Sequence, residues 1–250
     1  MPYGNETMAQ AMARDVRALA PQVIRDYNTP GLPSWPTVTG TLPLVVSFKI
    51  PPKEILSGSH DAQLRAFFAA TPRLAYWTYW HEPEDDIARG TFTAADYRAA
   101  WAHIADLAKA SGKPLRATLI LMGYTVQPGS GRTWTNYYPG SSVIDVLAWD
   151  CYAWDTNDTA DRVYGPAMNV SRQAGKPWAI AETGVGSVAY PNPANRQAKL
   201  TEMARYLATA PQAPVFVTYF DSDPGGPARY GWNISNYPAA AAAWKAGMHG

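Results

Sequence analysis

Residues 74–84 read LAYWTYWHEPE. The first seven are apolar, aromatic or β-branched, the pattern of a strand buried on both faces. The first carboxylate after this buried run is Glu82. A second stretch has the same form: WAIA at 178–181 runs straight into Glu182. Working outward, further β-rich runs lie at 23–27, 44–48, 115–122, 143–149 and 215–220. Helical patterns separate many of them. In 6–19, Met8, Met12, Val16 and Leu19 recur three to four apart. Thr93 can cap a long helix, with Asp96 as its capping-box partner, and Tyr97, Trp101, Ile104 and Ala108 lie on one face. Residues 160–174, 194–208 and 238–248 read as helices, the last with Pro in its first turn. Strands alternating with helices predict an α/β fold with a mainly parallel sheet, and its closed form is a (β/α)8 TIM barrel. The eighth strand then falls at 1–4. It is short, either minimal or cut from a longer chain. The 250 residues read as a single domain. No G-x-G-x-x-G or G-x-x-x-x-G-K-[ST] supports a nucleotide-binding sheet.

Composition excludes several functions. A formal net charge of +1 leaves no basic face for nucleic acid. The 47% hydrophobic share argues against disorder. No apolar run reaches the roughly 18 residues of a membrane span, and the start lacks the pattern of a signal peptide. Cys151 has no internal disulfide partner and sits in an apolar run, as a buried thiol would. The stretch HEPEDD mixes one His with four carboxylates but lacks the H-E-x-x-H spacing of a zinc site, so no metal is expected.

Glu82 and Glu182 suit glycoside hydrolysis, in which one carboxylic acid protonates the leaving oxygen and one carboxylate attacks the anomeric carbon. Burial and a neighbouring like charge would set their pKa values apart. A lone strand-end Glu more often caps the following turn, so the pair carries the weight. The loops 28–43, 123–142 and 221–238 follow strand ends and are rich in Gly, Pro and aromatics. Trp35, Trp134, Tyr137, Tyr138, Trp154 and Trp232 either stack on sugar C–H faces or pin the loops to the barrel. Trp149 belongs to the core, because its neighbour Asp150 has the parity of Tyr152. Arg25, at a strand end, either holds the nucleophile ionised or pairs with Asp26. Asp221 and Asp223 either bind sugar hydroxyls or make local turns. The acidic run Glu84, Asp85, Asp86 and the near-zero net charge favour a neutral glycan.

The stretch 74–84 resembles the fourth-strand motif of clan A glycoside hydrolases, specifically family 26, at Trp77, His81 and Glu82. Residues 137–152 are similar to the family's sixth-strand pattern at Tyr138, Pro139, Gly140, Asp145, Asp150 and Tyr152. Residues 176–184 resemble its nucleophile motif at Lys176, Pro177, Glu182, Thr183 and Gly184. The three fall in the family's order. The resemblance implies Glu82 as general acid/base and Glu182 as nucleophile. Tyr152 would orient the nucleophile, and His81 and Trp77 would line the site. It implies a retaining double displacement with carboxyl groups roughly 5–5.5 Å apart, and no cofactor. The substrate would be a polysaccharide or oligosaccharide of β-mannan or β-glucan type, cut internally by a secreted, monomeric enzyme. Tyr219 or Phe220 would supply an aromatic platform, with Trp232 and Arg25 as further substrate-side candidates. The sequence departs from the family at SFKIPPK (47–53), where Lys49 stands in place of a His. A cation there changes the hydrogen bonding around the cleaved sugar. Two alternatives stay open: a non-catalytic glycan-binding barrel, and a depolymerase of cell-wall or capsular glycan from a phage or a larger secreted protein.

Overall fold

The computed structural model describes residues 6–28, 31–32, 35, 40–222 and 230–249. Helix α1 (Met8–Leu19) leads to β1 (Ile24–Asn28). Strand β2 (Leu44–Phe48) is followed by α2 (Pro52–Leu56) and α3 (Asp61–Ala69), and β3 (Ala75–Tyr79) by α4 (Glu84–Ala88) and α5 (Ala94–Ala110). After β4 (Leu115–Met122) come 3-10 turns at Gly123–Val126 and Trp134–Asn136, then β5 (Val146–Ala153), α6 (Ala160–Gln173), β6 (Trp178–Val185), α7 (Pro193–Ala208) and α8 (Pro238–His249). Helix starts follow side-chain chemistry. Thr7 and Gln10 form a capping box on α1. Thr93 and Thr159 accept backbone N–H bonds at α5 and α6, and Asn192 does so at α7 with Pro193 in its first turn.

The strands pair in chain order, β1 through β6, all parallel. Arg25 on β1 reaches Asp150 on β5 and Ala181 on β6, so the sheet curls back on itself. The 215–220 run extends the sheet past β6: Val215 donates to the Trp178 carbonyl and Thr218 to the Ile180 carbonyl. It makes one parallel bridge, Ile180 to Val217, rather than a continuous strand. Six strands are thus formed among the described residues, a partial barrel where sequence reading expected eight. The expected strand at 1–4 lies outside the described residues. Between β1 and the 215–220 run, among the described residues, is a cavity of about 600 Å³ that reaches Arg25, Tyr27 and Phe220.

Strand alternation sorts the core into two layers. The concave face packs small and β-branched side chains: Val45, Ile120, Val146, Ala148, Ala179 and Ala181, with Phe216. The outer layer, between sheet and helices, takes the large rings, and Trp77, Trp101, Trp149 and Trp178 are among its fully buried members. Much of the tryptophan excess therefore serves packing. Trp77 lies 4.9 Å from the Trp101 ring and 5.3 Å from Phe68. We expect Trp77→Ala to lower the unfolding free energy by about 3–5 kcal/mol, read from the urea midpoint. At Gly123 a Cβ would press into the Cys151 sulfur and the Asp150 carbonyl, which explains glycine where β4 passes into its turn.

Candidate active site

Strand β3 ends at Tyr79, and the next three residues form an unusual turn. Trp80 and Glu82 both have left-handed backbone, with φ of 46° and 50°. Such a conformation costs about 1–3 kcal/mol in a residue with a side chain. Two backbone bonds impose it: Trp80 N–H donates to the Phe48 carbonyl at 2.8 Å, and Glu82 N–H to the Ile120 carbonyl at 3.0 Å. The turn carries Glu82 across to the end of β4. Burial, then the charges of Glu182 and Glu84, push the Glu82 carboxyl up to about 7. Glu82 is a proton donor below that pH. Burial, followed by Arg25 and Lys49, drives the His81 pKa well down, so its imidazole is neutral. Its ring sits edge-on to Tyr27 at 5.7 Å.

Glu182 reaches the same mouth through a bulge. Trp149 pairs with Ile180, but Asp150 pairs with Glu182, which leaves Ala181 as an extra residue in β6. Ala179 and Ala181 both face inward, and strict alternation would turn Glu182 outward. The bulge brings it inside. There the Tyr27 hydroxyl donates to Oε1 at 2.8 Å and the Tyr152 hydroxyl donates to Oε2. Arg25 Nη1 lies 3.1 Å from Glu182 Oε1 and donates to Asp150 Oδ1 at 3.1 Å and to the Ala181 carbonyl at 2.7 Å. Burial opposes the charge on Arg25, but Tyr27, Asp150 and Glu182 outweigh it and raise its pKa. Burial, then Glu182, pushes the Asp150 carboxyl up, and Arg25 opposes this. Burial also raises the pKa of Tyr27 and Tyr152, so both phenols keep their protons and stay donors. One carboxylate is thus oriented through both oxygens beside a second carboxyl that holds its proton to near neutrality.

The structure brings Glu82, His81, Glu182, Tyr152, Arg25 and Lys49 to one mouth. Arg25 takes the inward role that sequence reading left open. Trp232 backs the mouth: it is buried, with its ring stacked between Tyr152 at 4.4 Å and Tyr230 at 4.3 Å and edge-on to Phe220 at 5.8 Å. Trp154, 55% exposed, stands edge-on to Trp232. Two expectations need correction. Trp77 has the outward parity of Tyr79 and Ala75, is 1% exposed, and belongs to the outer core. Tyr219 also turns outward: its hydroxyl bonds the Trp232 carbonyl and its ring meets Trp244. Phe220 is the ring at the mouth, edge-on to Tyr27 and Tyr152. Asp221 accepts the Ile234 and Ser235 N–H groups, a structural task, and Asp223 lies outside the described residues. Trp35 stacks on Phe67 and donates its indole N–H to the Phe67 carbonyl, so its ring packs on α3. Sequence reading missed Tyr27, although its place two residues beyond Arg25 predicts the same face.

The pKa values give a pH signature. If Glu82 serves as a catalytic acid, loss of its proton makes kcat/KM fall as pH rises through about 7. Glu84 is buried, accepts from Met122 N–H and the Thr125 hydroxyl, and is itself pushed by burial up to about 7. Its charge raises Glu82. Glu84→Gln therefore shifts the alkaline limb to lower pH, measured as kcat/KM against pH. Both carboxyls hold protons in the fold up to about 7, against an ordinary 4.5. Their contribution to stability is full below about 4.5, declines as pH rises toward 7, and is level above that.

No protein-family model matches the sequence, and no curated protein does. Solved structures do match. A double mutant of the Cellulomonas fimi endo-β-1,4-mannanase matches with a TM-score of 0.56 at 18% identity, over 80% of this chain and 54% of the mannanase. GH26C from Muricauda sp. matches at 0.59 and 15% identity, over 84% of this chain and 66% of its own. The chain thus resembles several glycoside hydrolases in fold, family 26 members among them. It spans about half the length of the Cellulomonas mannanase. A Bacteroides uniformis β-glucuronidase also matches, at 0.66 and 13% identity, over 96% of this chain and 33% of its own. Glu82 and Glu182 stand where strand ends open into the mouth, the face on which (β/α) barrels in general carry their chemistry.

Proposed function

We propose that the chain is a retaining endo-β-glycosidase on a (β/α)8-type barrel, acting on a β-linked polysaccharide of mannan or glucan type. The observation that carries this reading is the seating of Glu182. Two tyrosine hydroxyls and Arg25 hold both of its oxygens, beside a Glu82 that keeps its proton to about pH 7. In the first step a Glu182 oxygen bonds to the anomeric carbon, the bond to the leaving oxygen breaks, and the Glu82 proton goes to that oxygen. Tyr27, Tyr152 and Arg25 fix which lone pair points at the sugar. In the second step ionised Glu82 takes a proton from water, the water oxygen bonds to the anomeric carbon, and Glu182 leaves as carboxylate. Two inversions retain the configuration. Phe220 and the exposed Trp154 offer the apolar surface on which a pyranose ring packs.

The test is a digestion of β-mannan, β-glucan and β-xylan, followed by product sizing and NMR of the first-formed anomer. Internal cuts and a β anomer are expected. An α anomer would overturn Glu182 as nucleophile. Binding without products from every polymer would favour the non-catalytic barrel.

A further inference from the structure

Lys49 is a cation for which the proposed mechanism has no use. It follows β2 with the inward parity of Val45 and Ser47, so it points to the mouth. Its backbone is fixed from both sides: its carbonyl accepts from Gly31 N–H at 3.1 Å, and the next carbonyl, of Ile50, accepts from the Tyr79 hydroxyl at 2.8 Å. The half-buried ammonium lies 5.6 Å from the centre of the Trp80 ring. Among the described residues, no carboxylate stands within ion-pair distance of it.

The acids that could have neutralised it are committed elsewhere. Asp86 takes the Trp80 indole N–H at 2.7 Å and pairs with Arg89. Asp85 pairs with Arg132. Glu84 is buried beneath Met122 and Thr125. Glu182 and Asp150 share Arg25, and Glu82 carries a proton up to about pH 7. The acidic run that in the sequence favoured a neutral glycan is therefore largely neutralised or buried. Burial lowers the pKa of Lys49, so a partner of opposite charge would strengthen its ammonium form.

We propose that Lys49 anchors a carboxylate on the bound sugar, which makes the substrate a β-glycan containing uronic acid. This deepens the glycosidase reading and rests on it. Titration calorimetry tests it with matched probes. One pair is a β-1,4-linked oligomannuronate and the β-1,4-manno-oligosaccharide of equal length. The other is a β-1,4-oligoglucuronate and its cello-oligosaccharide. Each pair keeps linkage and ring configuration and differs only in carboxylate against hydroxymethyl. The protein should bind one uronate at least about tenfold tighter than its neutral twin, and added salt should erode the difference. Lys49→Met should lose the preference, and Lys49→Arg should keep it. Equal affinity within both pairs, a neutral preference, no binding of either uronate, or an unchanged preference in Lys49→Met overturns the proposal. Product analysis of the same mixtures separates the two readings. A Lys49-dependent uronate preference without products upholds the anion site and overturns cleavage, whereas products from the neutral oligomers without a uronate preference do the reverse.

Discussion

Glu182→Ala is expected to cut turnover by roughly 10⁴-fold or more, the scale on which a covalent nucleophile acts. In the proposed mechanism its loss removes the atom that bonds to the anomeric carbon, and it leaves Tyr27, Tyr152 and Arg25 facing a small gap. Azide fits such a gap and attacks from the same side. It should restore cleavage of an activated substrate and yield a glycosyl azide of inverted configuration. Glu82→Ala, by contrast, should slow natural glycans strongly but spare aryl glycosides whose leaving group needs no proton. Unchanged activity in Glu182→Ala would sink the assignment of roles.

The second large effect is on the fold. Arg25→Met removes the guanidinium that joins Asp150, Glu182 and the Ala181 carbonyl in a buried site. The Asp150 side chain is fully shielded from solvent, and its Oδ2 already has no hydrogen-bond partner. Breaking one side of a buried pair costs about 3–5 kcal/mol, a fall in Tm on the order of 10 °C for a chain of this size. The loss depends on pH with a defined sign. Burial holds the folded Asp150 pKa above its unfolded value, and removing Arg25 raises it further. The deficit is therefore smallest in acid, where Asp150 holds a proton in both proteins, and grows as pH rises through the wild-type folded value toward the variant's higher one. Adding Asp150→Leu to Arg25→Met should recover much of the stability, and thermal melts at pH 5 and pH 8 measure both effects. A deficit that is equal at the two pH values would mean that Arg25 acts through packing alone.

Much of this was legible before the structure because strand ends announce themselves. Glu82 and Glu182 stand out where apolar runs meet their first carboxylate, and Arg25 and Tyr152 occupy inward positions next to such runs. Parity was the less exploited signal. It would have added Tyr27 to Arg25, preferred Phe220 to Tyr219 as the partner of Phe216 and Thr218, and moved Trp77 outward beside Ala75 and Tyr79. Other features depend on pairing and have no local signature. The bulge at Ala181 exists only in register with Asp150. Strand β5 starts at Val146 rather than at residue 143, because Asp145 turns its carboxylate to the Ala117 N–H and Ile144 is tied back to the Gly140 carbonyl. The left-handed turn at Trp80 and Glu82 is likewise imposed by carbonyls of two other strands.

The Arg25 junction also sets an order of assembly. Its bonds to Asp150 and to the Ala181 carbonyl join residues 125 and 156 positions apart, and Tyr27 meets Glu182 across 155. Contacts of such separation must overcome the entropy of closing half or more of the chain. At ribosomal speeds of about 5–20 residues per second, Arg25 is synthesised on the order of ten seconds before Glu182. Until β5 and β6 exist, a guanidinium in β1 has no counter-charge and no reason to leave water. Strand β1, made before β5 and β6, is therefore fixed only after them, and Glu182 becomes oriented in the same event that joins β1 to β5 and β6.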